Sequence, residues 1–538
     1  MKRVICLLLV ACFMVVALVS CGGDGAGAGG SGEGGSNGAG GSGEGVVSLK
    51  PTDKWGQEEI DKMDITKLDF GGETLTILLR NQASVMREWY TESETPDEVD
   101  QVVEVRNSVV AKDLNLDIQY SPLDFSGFED CRDKFIQAIG DDVSQGTHAY
   151  DIVANYAYVG AMAEVRNYIA NLADTELFPH FNFKQPCWNQ AIVKSTLIND
   201  NLYYITGDLN LSTFDKTMVV FLNKDLYAEK GGKDDLQDLA LEGYDDKTGN
   251  GKAGGFTYAD LYEWASVADG ETHDDFHAIY NPFESIPLDA LPYAWDLEFI
   301  KTNSDGSHKF NITNNNKIEE AVVKARDLFS ATNAKGVWNQ DRTNGCEFGG
   351  YSEPISHFTN GKTLFAFHVL YASDTDNLAL REMTQNFGLL PIPKYDDKQV
   401  NYGTTAQDSY TLITVLNHEG DVPTKGEEVS AYLQYSCEMS YTDVRGYYIE
   451  AVVKQKYFGT SDSVAKSTAI FNAIASNVEF DFLSIYAPQL DGVLNSCWRN
   501  VVRYEKTGSP ATSGEAYANG QASFDEKMEE VDKWLGLK

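Results

Sequence analysis

The order of apolar runs between residues 74 and 154 constrains this chain more than any other feature. Thr74-Leu75-Thr76-Ile77-Leu78-Leu79 is a β-branched apolar run behind Gly71-Gly72, and it predicts a buried strand. Over 98–114 apolar residues recur at helical spacing, with Asp97 and Glu98 placed to favour a helix N-terminus. Residues 116–120 alternate as a strand, 128–139 return to helical spacing, and 150–154 form a short strand again. Strand–helix–strand–helix–strand predicts a parallel sheet with helices on its faces. In such sheets ligands sit beyond the carboxyl ends of the strands. The loops after Leu79, Tyr120 and Ala154 are therefore where a site is expected.

Similar signals recur downstream. Strands are expected at 218–222, 363–367, 387–390 and 409–415, and helices at 258–268, 317–330, 427–439, 464–475 and 524–535. No repeat of fixed period runs through them. At 538 residues the chain exceeds one typical domain and predicts two lobes or more of α/β type.

The N-terminus sets the expected compartment. Lys2 and Arg3 precede 16 uncharged residues, 4–19. A spanning helix takes about 20 such residues, so this run reads as the apolar part of a signal peptide, 1–20. It ends in Leu18-Val19-Ser20-Cys21, which is similar to the bacterial lipoprotein signal. That resemblance implies cleavage before Cys21, its lipidation, and a tether to the membrane through the lipid alone. Of the 24 residues 22–45, 14 are Gly and none is larger than Glu. Such a segment has no apolar surface to bury and predicts a disordered linker. As a coil it spans roughly 25–30 Å.

Charge and cysteines exclude several classes. Asp and Glu number 81 against 43 Lys and Arg, a net charge of −38. That argues against a nucleic-acid partner and against adsorption to anionic lipid. Beyond Cys21 the cysteines are Cys131, Cys187, Cys346, Cys437 and Cys497, an odd number without a CxxC pair. They read as buried thiols and not as a disulfide framework or a zinc site. Residues 246–251 resemble part of a calcium loop, but Thr257 stands where a bidentate Glu is needed. His273 and His277 have metal-ligand spacing without a third ligand. No GxSxG elbow, P-loop or GxGxxG follows the strands. Neither cofactor, metal nor catalytic residue is expected.

The order of motifs resembles the extracellular solute-binding lipoproteins of bacterial ABC importers, in the maltose-binding-like, carbohydrate-type group. The matching pieces are GETLTILLR, VEVRNSVVAKDLNLDIQY, YDIVANYAYVGAMAEVRNYIANL, FLNKDLYAEKG, HFTNGKTLFAFH and FGLLPIPKYD. They are spread over most of the chain beyond the linker. The resemblance implies a type II periplasmic-binding-protein-like fold, two α/β lobes with a hinge and a ligand cleft between them. By analogy one lobe comprises 46–212 plus about 405–460, and the other 213–404 plus about 461–538. It implies a monomer on the outer face of the cytoplasmic membrane. That monomer captures a carbohydrate and delivers it to permease subunits driven by a separate ATPase. Two alternatives stay open: a surface glycoside hydrolase, which needs two carboxylates across a sugar bond, and a peptide-binding importer receptor.

A sugar site needs flat rings against C–H faces and polar groups for the hydroxyls. The chain has 28 Tyr, 26 Phe and 8 Trp from which to build one. Trp89 follows the first strand as a stacking platform or a core cap, with Arg80 and Glu88 as its polar partners. Asn155 and Tyr156 come just past the third strand. Asp208 stands before the expected first crossing, 211–217. In the second lobe Trp295, after a Pro-broken loop, and Tyr371, after the strand 363–367, are the expected platforms. Asp408 and Tyr410 lie on the expected return crossing, 404–414. Trp188 reads as structural.

Overall fold

The computed structural model describes residues 65–94, 96–233, 235–245, 250–265, 276–280, 285–329, 337–338, 353–370, 380, 383–418, 424–448, 461–490, 492–503 and 510–537. The signal, Cys21 and the linker, Tyr371, Cys346, His273 and most of the calcium-like segment lie outside them.

Two sheets organise the body. In the first, β1 (Glu73–Arg80) lies between β2 (Leu116–Leu123) and β3 (Ile152–Tyr156) and runs parallel to both. Leu75 stands beside Ile118 and Ile77 beside Ile152. The linking helices are α1 (Glu98–Leu114) and α2 (Phe128–Gln145), so the predicted β-α-β-α-β order holds. Asp97 caps α1 by accepting from the Asp100 amide, while the Asp100 side chain accepts from the Asp97 amide. Asn115 ends the helix in the left-handed region at φ 51°. α2 runs past the expected 139 to Gln145 and stops at Gly146, φ 61°. Asn155 and Tyr156 are the last two residues of β3 and not loop residues, and α3 (Ala157–Glu164) follows at once.

The second sheet has five strands: β4 (Met218–Asn223), β5 (His277–Tyr280), β6 (Val337–Trp338), β7 (Thr363–Val369) and β8 (Phe387–Leu390). Their spatial order is β6-β5-β7-β4-β8. β4 is antiparallel to both β7 and β8. A last strand, β9 (Thr411–Val415), returns to the first sheet and pairs antiparallel with β3, Leu412 opposite Asn155. Both sheets are thus mixed, where the motif order predicted parallel ones. The reason is connectivity. β4 and β9 enter from the segments that pass between the sheets, so the handed βαβ crossover does not fix their direction.

α4 (Ser285–Ala294) and α5 (Asn316–Phe329) belong to the second half of the molecule. α6 (Gly426–Met439) packs on α1, and α7 (Ser461–Ala475) on β8. α8 (Phe482–Ile485) meets α3, and α9 (Ser513–Trp534) packs on α5. α9 starts well before the expected 524. Thr512 caps it, and Gly514 and Gly520 hide its first turns from a periodicity reading.

The core follows the period-two alternation of β1. Leu75, Ile77 and Leu79 join a cluster with Trp89, Val110, Trp188 and Tyr432. Leu78 faces the other way, into a cluster that continues through Val153 and Tyr204 to Val220, Phe365 and Leu389 of the second sheet. Three segments connect the sheets side by side. The Gln407 amide donates to the Lys216 carbonyl at 2.8 Å, and the Glu479 amide to the Thr404 carbonyl at 2.8 Å. Among the described residues no helix is long and apolar enough to cross a membrane.

Candidate functional site

The carboxyl ends of β1 and β3 and the start of β4 converge on the connecting segments. There a cavity of about 470 Å³ opens. Met218 of β4, the stretch 405–410 leading into β9, Asp289 and Tyr293 of α4, and residues 480–499 wall it. Among the described residues Met218 is the one lining residue that lies in a strand of the two large sheets; the rest belong to the connecting segments and to helices beside them.

Three rings form its apolar surface. Tyr410 and Phe480 stand 4.8 Å apart between ring centres, tilted by 60°. The Tyr293 hydroxyl donates to Asp481 Oδ1 at 2.8 Å, which fixes its ring. Burial pushes the phenol groups of Tyr293 and Tyr410 well up, so both stay neutral donors. Asp481 in turn caps α8, accepting from the Ser484 amide at 2.8 Å.

The charged groups line the same cavity, Asp289 one helical turn from Tyr293 and Asp408 two residues before Tyr410. Arg499 grips Asp289 through Nε and Nη2, one nitrogen to each carboxylate oxygen. Burial pushes the Asp289 carboxyl up to about 6, with Arg499 opposing. Asp408 keeps accessible surface although protein walls surround it. Those walls raise its carboxyl against the opposing pull of Arg499, Arg80 and Lys216. No described residue donates a hydrogen bond to it. The arrangement offers rings for C–H faces, a free carboxylate and the remaining N–H groups of Arg499 for hydroxyls.

The structure brings together only part of the predicted set. Asp408 and Tyr410 line the cavity. Arg80, fully buried, stands behind them: its Nη1 donates to the Ser409 carbonyl and its Nη2 to Thr411 Oγ1, each at 3.0 Å. Its guanidinium lies over the Tyr156 ring, 3.8 Å from the ring centre. Tyr156 therefore supports Arg80 from within the fold. Asn155 is buried beside it, its Oδ1 accepting from Cys131 Sγ at 3.8 Å, with Nδ2 unpartnered.

The remaining expectations find other places. Glu88 is buried and accepts from the Ser212 amide at 2.6 Å and from Asn210 Nδ2 at 3.1 Å, so it braces a connecting segment. Trp89 is 0 % exposed within the first sheet's core, and no ring face is left for a ligand. Trp295 is likewise 0 % exposed, its indole donating to the Pro393 carbonyl at 3.1 Å. The Pro-broken loop expected before it is α4 itself, with Pro292 inside the helix. Asp208 faces Arg445 at 3.4 Å on a separate cavity of about 180 Å³ that includes Trp188 and Phe214. Burial raises its carboxyl to about 6, opposed by Arg445. Four of the ring and charged residues of the cavity were not predicted: Asp289, Tyr293, Phe480 and Arg499. Tyr293 was in view, two positions from Trp295. The helical spacing of α4 turns 289 and 293 to one side, which is the signal that separates them from Trp295.

A larger, more open groove of about 830 Å³ shares Tyr293, Leu483 and Leu494 with the cavity and extends past Lys194, Glu479 and His308. No strand of either large sheet reaches it. Among the described residues no group of three His, Cys, Asp or Glu is placed to hold a metal. Cys131, Cys187, Cys437 and Cys497 are free and buried.

No protein-family model matches the chain. No curated protein shows significant similarity to it. Solved structures do match. The ABC transporter associated binding protein from B. animalis subsp. lactis Bl-04, solved in complex with beta-1,6-galactobiose, superposes with a TM-score of 0.50 at 12% identity. That match covers 86% of this chain and 99% of the other. The GacH receptor of Streptomyces glaucescens GLA.O gives 0.48 at 14% identity, over 86% and 99% of the two chains. The maltose/maltodextrin-binding domain MalE from Bdellovibrio bacteriovorus, bound to maltotriose, gives 0.47 at 12%, over 85% and 100%. The chain has the two-lobe, maltose-binding-protein-like α/β fold.

Proposed function

We propose that this chain is the extracytoplasmic substrate-binding component of an ABC importer that captures a carbohydrate between its two lobes. The observation that carries this reading is the 470 Å³ cavity beside the connecting segments, lined by Tyr293, Tyr410 and Phe480 together with Asp408 and Arg499. Rings and hydroxyl-binding groups lining one cavity are what a saccharide needs and what a peptide backbone does not. A chain of this fold is solved with a disaccharide, which supports the same class of ligand. The lobes are taken as 46–212 plus about 405–460 and 213–404 plus about 461–538. The pairing of β9 with β3 and the packing of α7 on β8 support those bounds.

Capture works by closure. A ligand that touches both lobes only when they are shut shifts the population toward the closed state. Lipidated Cys21 and the glycine-rich linker hold the monomer at the outer face of the membrane, next to permease subunits. A separate ATPase supplies the energy, and this chain performs no chemistry. The hydrolase reading needs two carboxyls across the sugar bond; of the two that line the cavity among the described residues, Asp289 has both oxygens held by Arg499, which leaves Asp408 alone.

A thermal-shift screen against oligosaccharides, monosaccharides and short peptides tests this reading. A native-state ligand at one hundred times its dissociation constant adds about 2.7 kcal/mol. The expected result is a shift with a glycan recovered intact. A shift with peptides alone, or a cleaved glycan, overturns it.

A further inference from the structure

The charge inside the cavity narrows the class of saccharide, given that the cavity is the sugar site proposed above. Among the described residues three charged side chains line it: Asp289, Arg499 and Asp408. Asp289 and Arg499 neutralise one another through two parallel N–H···O bonds. Asp408 is left over. It is exposed to the cavity and receives no hydrogen bond from any described residue. The two other cations that feel it are both committed inside the protein. Arg80 is 0 % exposed and spent on Ser409 and Thr411. Lys216 is 7 % exposed and has its own partners within the fold. Neither lines the cavity. Just behind the wall, Asp481 adds a second negative group, already occupied by Tyr293 and Ser484.

The geometry points to a cationic saccharide: a sugar bearing a free amine, whose ammonium pairs with Asp408, with uronic-acid sugars disfavoured by the same carboxylate. An ammonium supplies the donors that Asp408 lacks, with a charge opposite to that of the one lining carboxylate no described hydrogen bond meets. A uronate brings a further carboxylate to a site whose one cation among the described lining residues, Arg499, is already paired with Asp289. The field of the whole chain acts in the same direction, since a net charge of −38 concentrates cations and repels anions at moderate salt. That the carboxyl of Asp408 is raised despite three nearby cations is consistent with a group short of a partner.

Calorimetric titration of the full chain at low salt tests this with matched trimers of glucose, glucosamine and glucuronate, each in α-1,4 and β-1,4 linkage. An opposite charge at contact distance in a partly screened site supports about a tenfold change in affinity. In the linkage that binds, the glucosamine trimer is expected about tenfold tighter than the glucose trimer, and the glucuronate trimer about tenfold weaker. Asp408→Lys is expected to reverse the order, a result that a merely structural role for Asp408 does not produce. Equal affinity across the three, a preference for the uronate, or an order unchanged by Asp408→Lys overturns the inference and leaves the sugar reading standing. Binding by none of the six overturns the sugar reading and the inference with it.

Discussion

Arg80 rests its guanidinium on the face of Tyr156, 3.8 Å from the ring centre, at the meeting point of β1, β3 and β9. The same group holds the Ser409 carbonyl and the Thr411 hydroxyl, and so fixes the backbone on either side of Tyr410. A buried cation here belongs to the support of the site. Replacing it by Met leaves two buried acceptors without a donor and removes the ring contact. Arg80→Met is expected to cost about 2–4 kcal/mol in urea unfolding, and Arg80→Lys to recover little of it, since a lysine has no planar fork. Full recovery by Lys contradicts this account.

Asp208 and Arg445 form a second buried pair, at 3.4 Å. Arg445→Met strands the carboxylate and is expected to cost about 3 kcal/mol near pH 7.5. Burial raises the Asp208 carboxyl to about 6 while Arg445 holds it down, so removing Arg445 lifts it further and the cost shrinks as pH falls toward 6 and the variant's carboxyl takes up a proton first. Adding Asp208→Asn to Arg445→Met is expected to restore most of the loss. A cost independent of pH and of Asp208 contradicts it.

Glu164 ends α3 and accepts from the Tyr486 hydroxyl at 2.8 Å and from the Tyr204 hydroxyl. Burial raises its carboxyl from 4.5 to about 8, with the Tyr486 bond opposing. The sign follows from the two values. Below pH 4.5 folded and unfolded chains both carry the proton, so nothing is lost. Between there and about 8 only the unfolded chain releases it, and stability falls. Glu164→Gln keeps an acceptor without this titration. Its melting temperature is expected to match the parent near pH 4 and to exceed it at pH 8. A constant difference across that range contradicts the assignment.

Trp89 is core. Trp89→Ala is expected to destabilise by about 3–5 kcal/mol, while Trp89→Phe leaves the dissociation constant of any glycan unchanged. A large loss of affinity in Trp89→Phe, at intact stability, would return Trp89 to the cavity.

The fold was legible where a local pattern and the tertiary role agree. The apolar spacing of 98–114 and the acidic cap at Asp97 placed α1 at its observed bounds, and the β-branched run before Arg80 placed β1 within one residue. Glycines defeated the same reading at α9, where they interrupt the period without interrupting the helix. Strand direction was not legible, because β4 and β9 owe theirs to pairings with residues more than 140 and 250 positions away in the chain. The site divides in the same way. The expected return crossing pointed to Asp408 and Tyr410, which line the cavity. Position after a strand or a Pro-broken loop, together with residue type, favoured Trp89 and Trp295, whose size sends them to the core, since large rings contribute most where they are fully buried. Asp289 and Arg499 were out of reach, for nothing local in either segment announces that the two will meet.

The central claim is that a glycan binds in the cavity between Tyr410, Tyr293 and Arg499. Hydrogen exchange of the full chain, with and without a saturating glycan from the screen, tests it most directly. The account predicts protection concentrated in three segments far apart in sequence, 405–410, 285–294 and 480–499, with the glycan recovered whole. Protection along the groove past Lys194 and His308 instead, or no protection with any glycan, would contradict it.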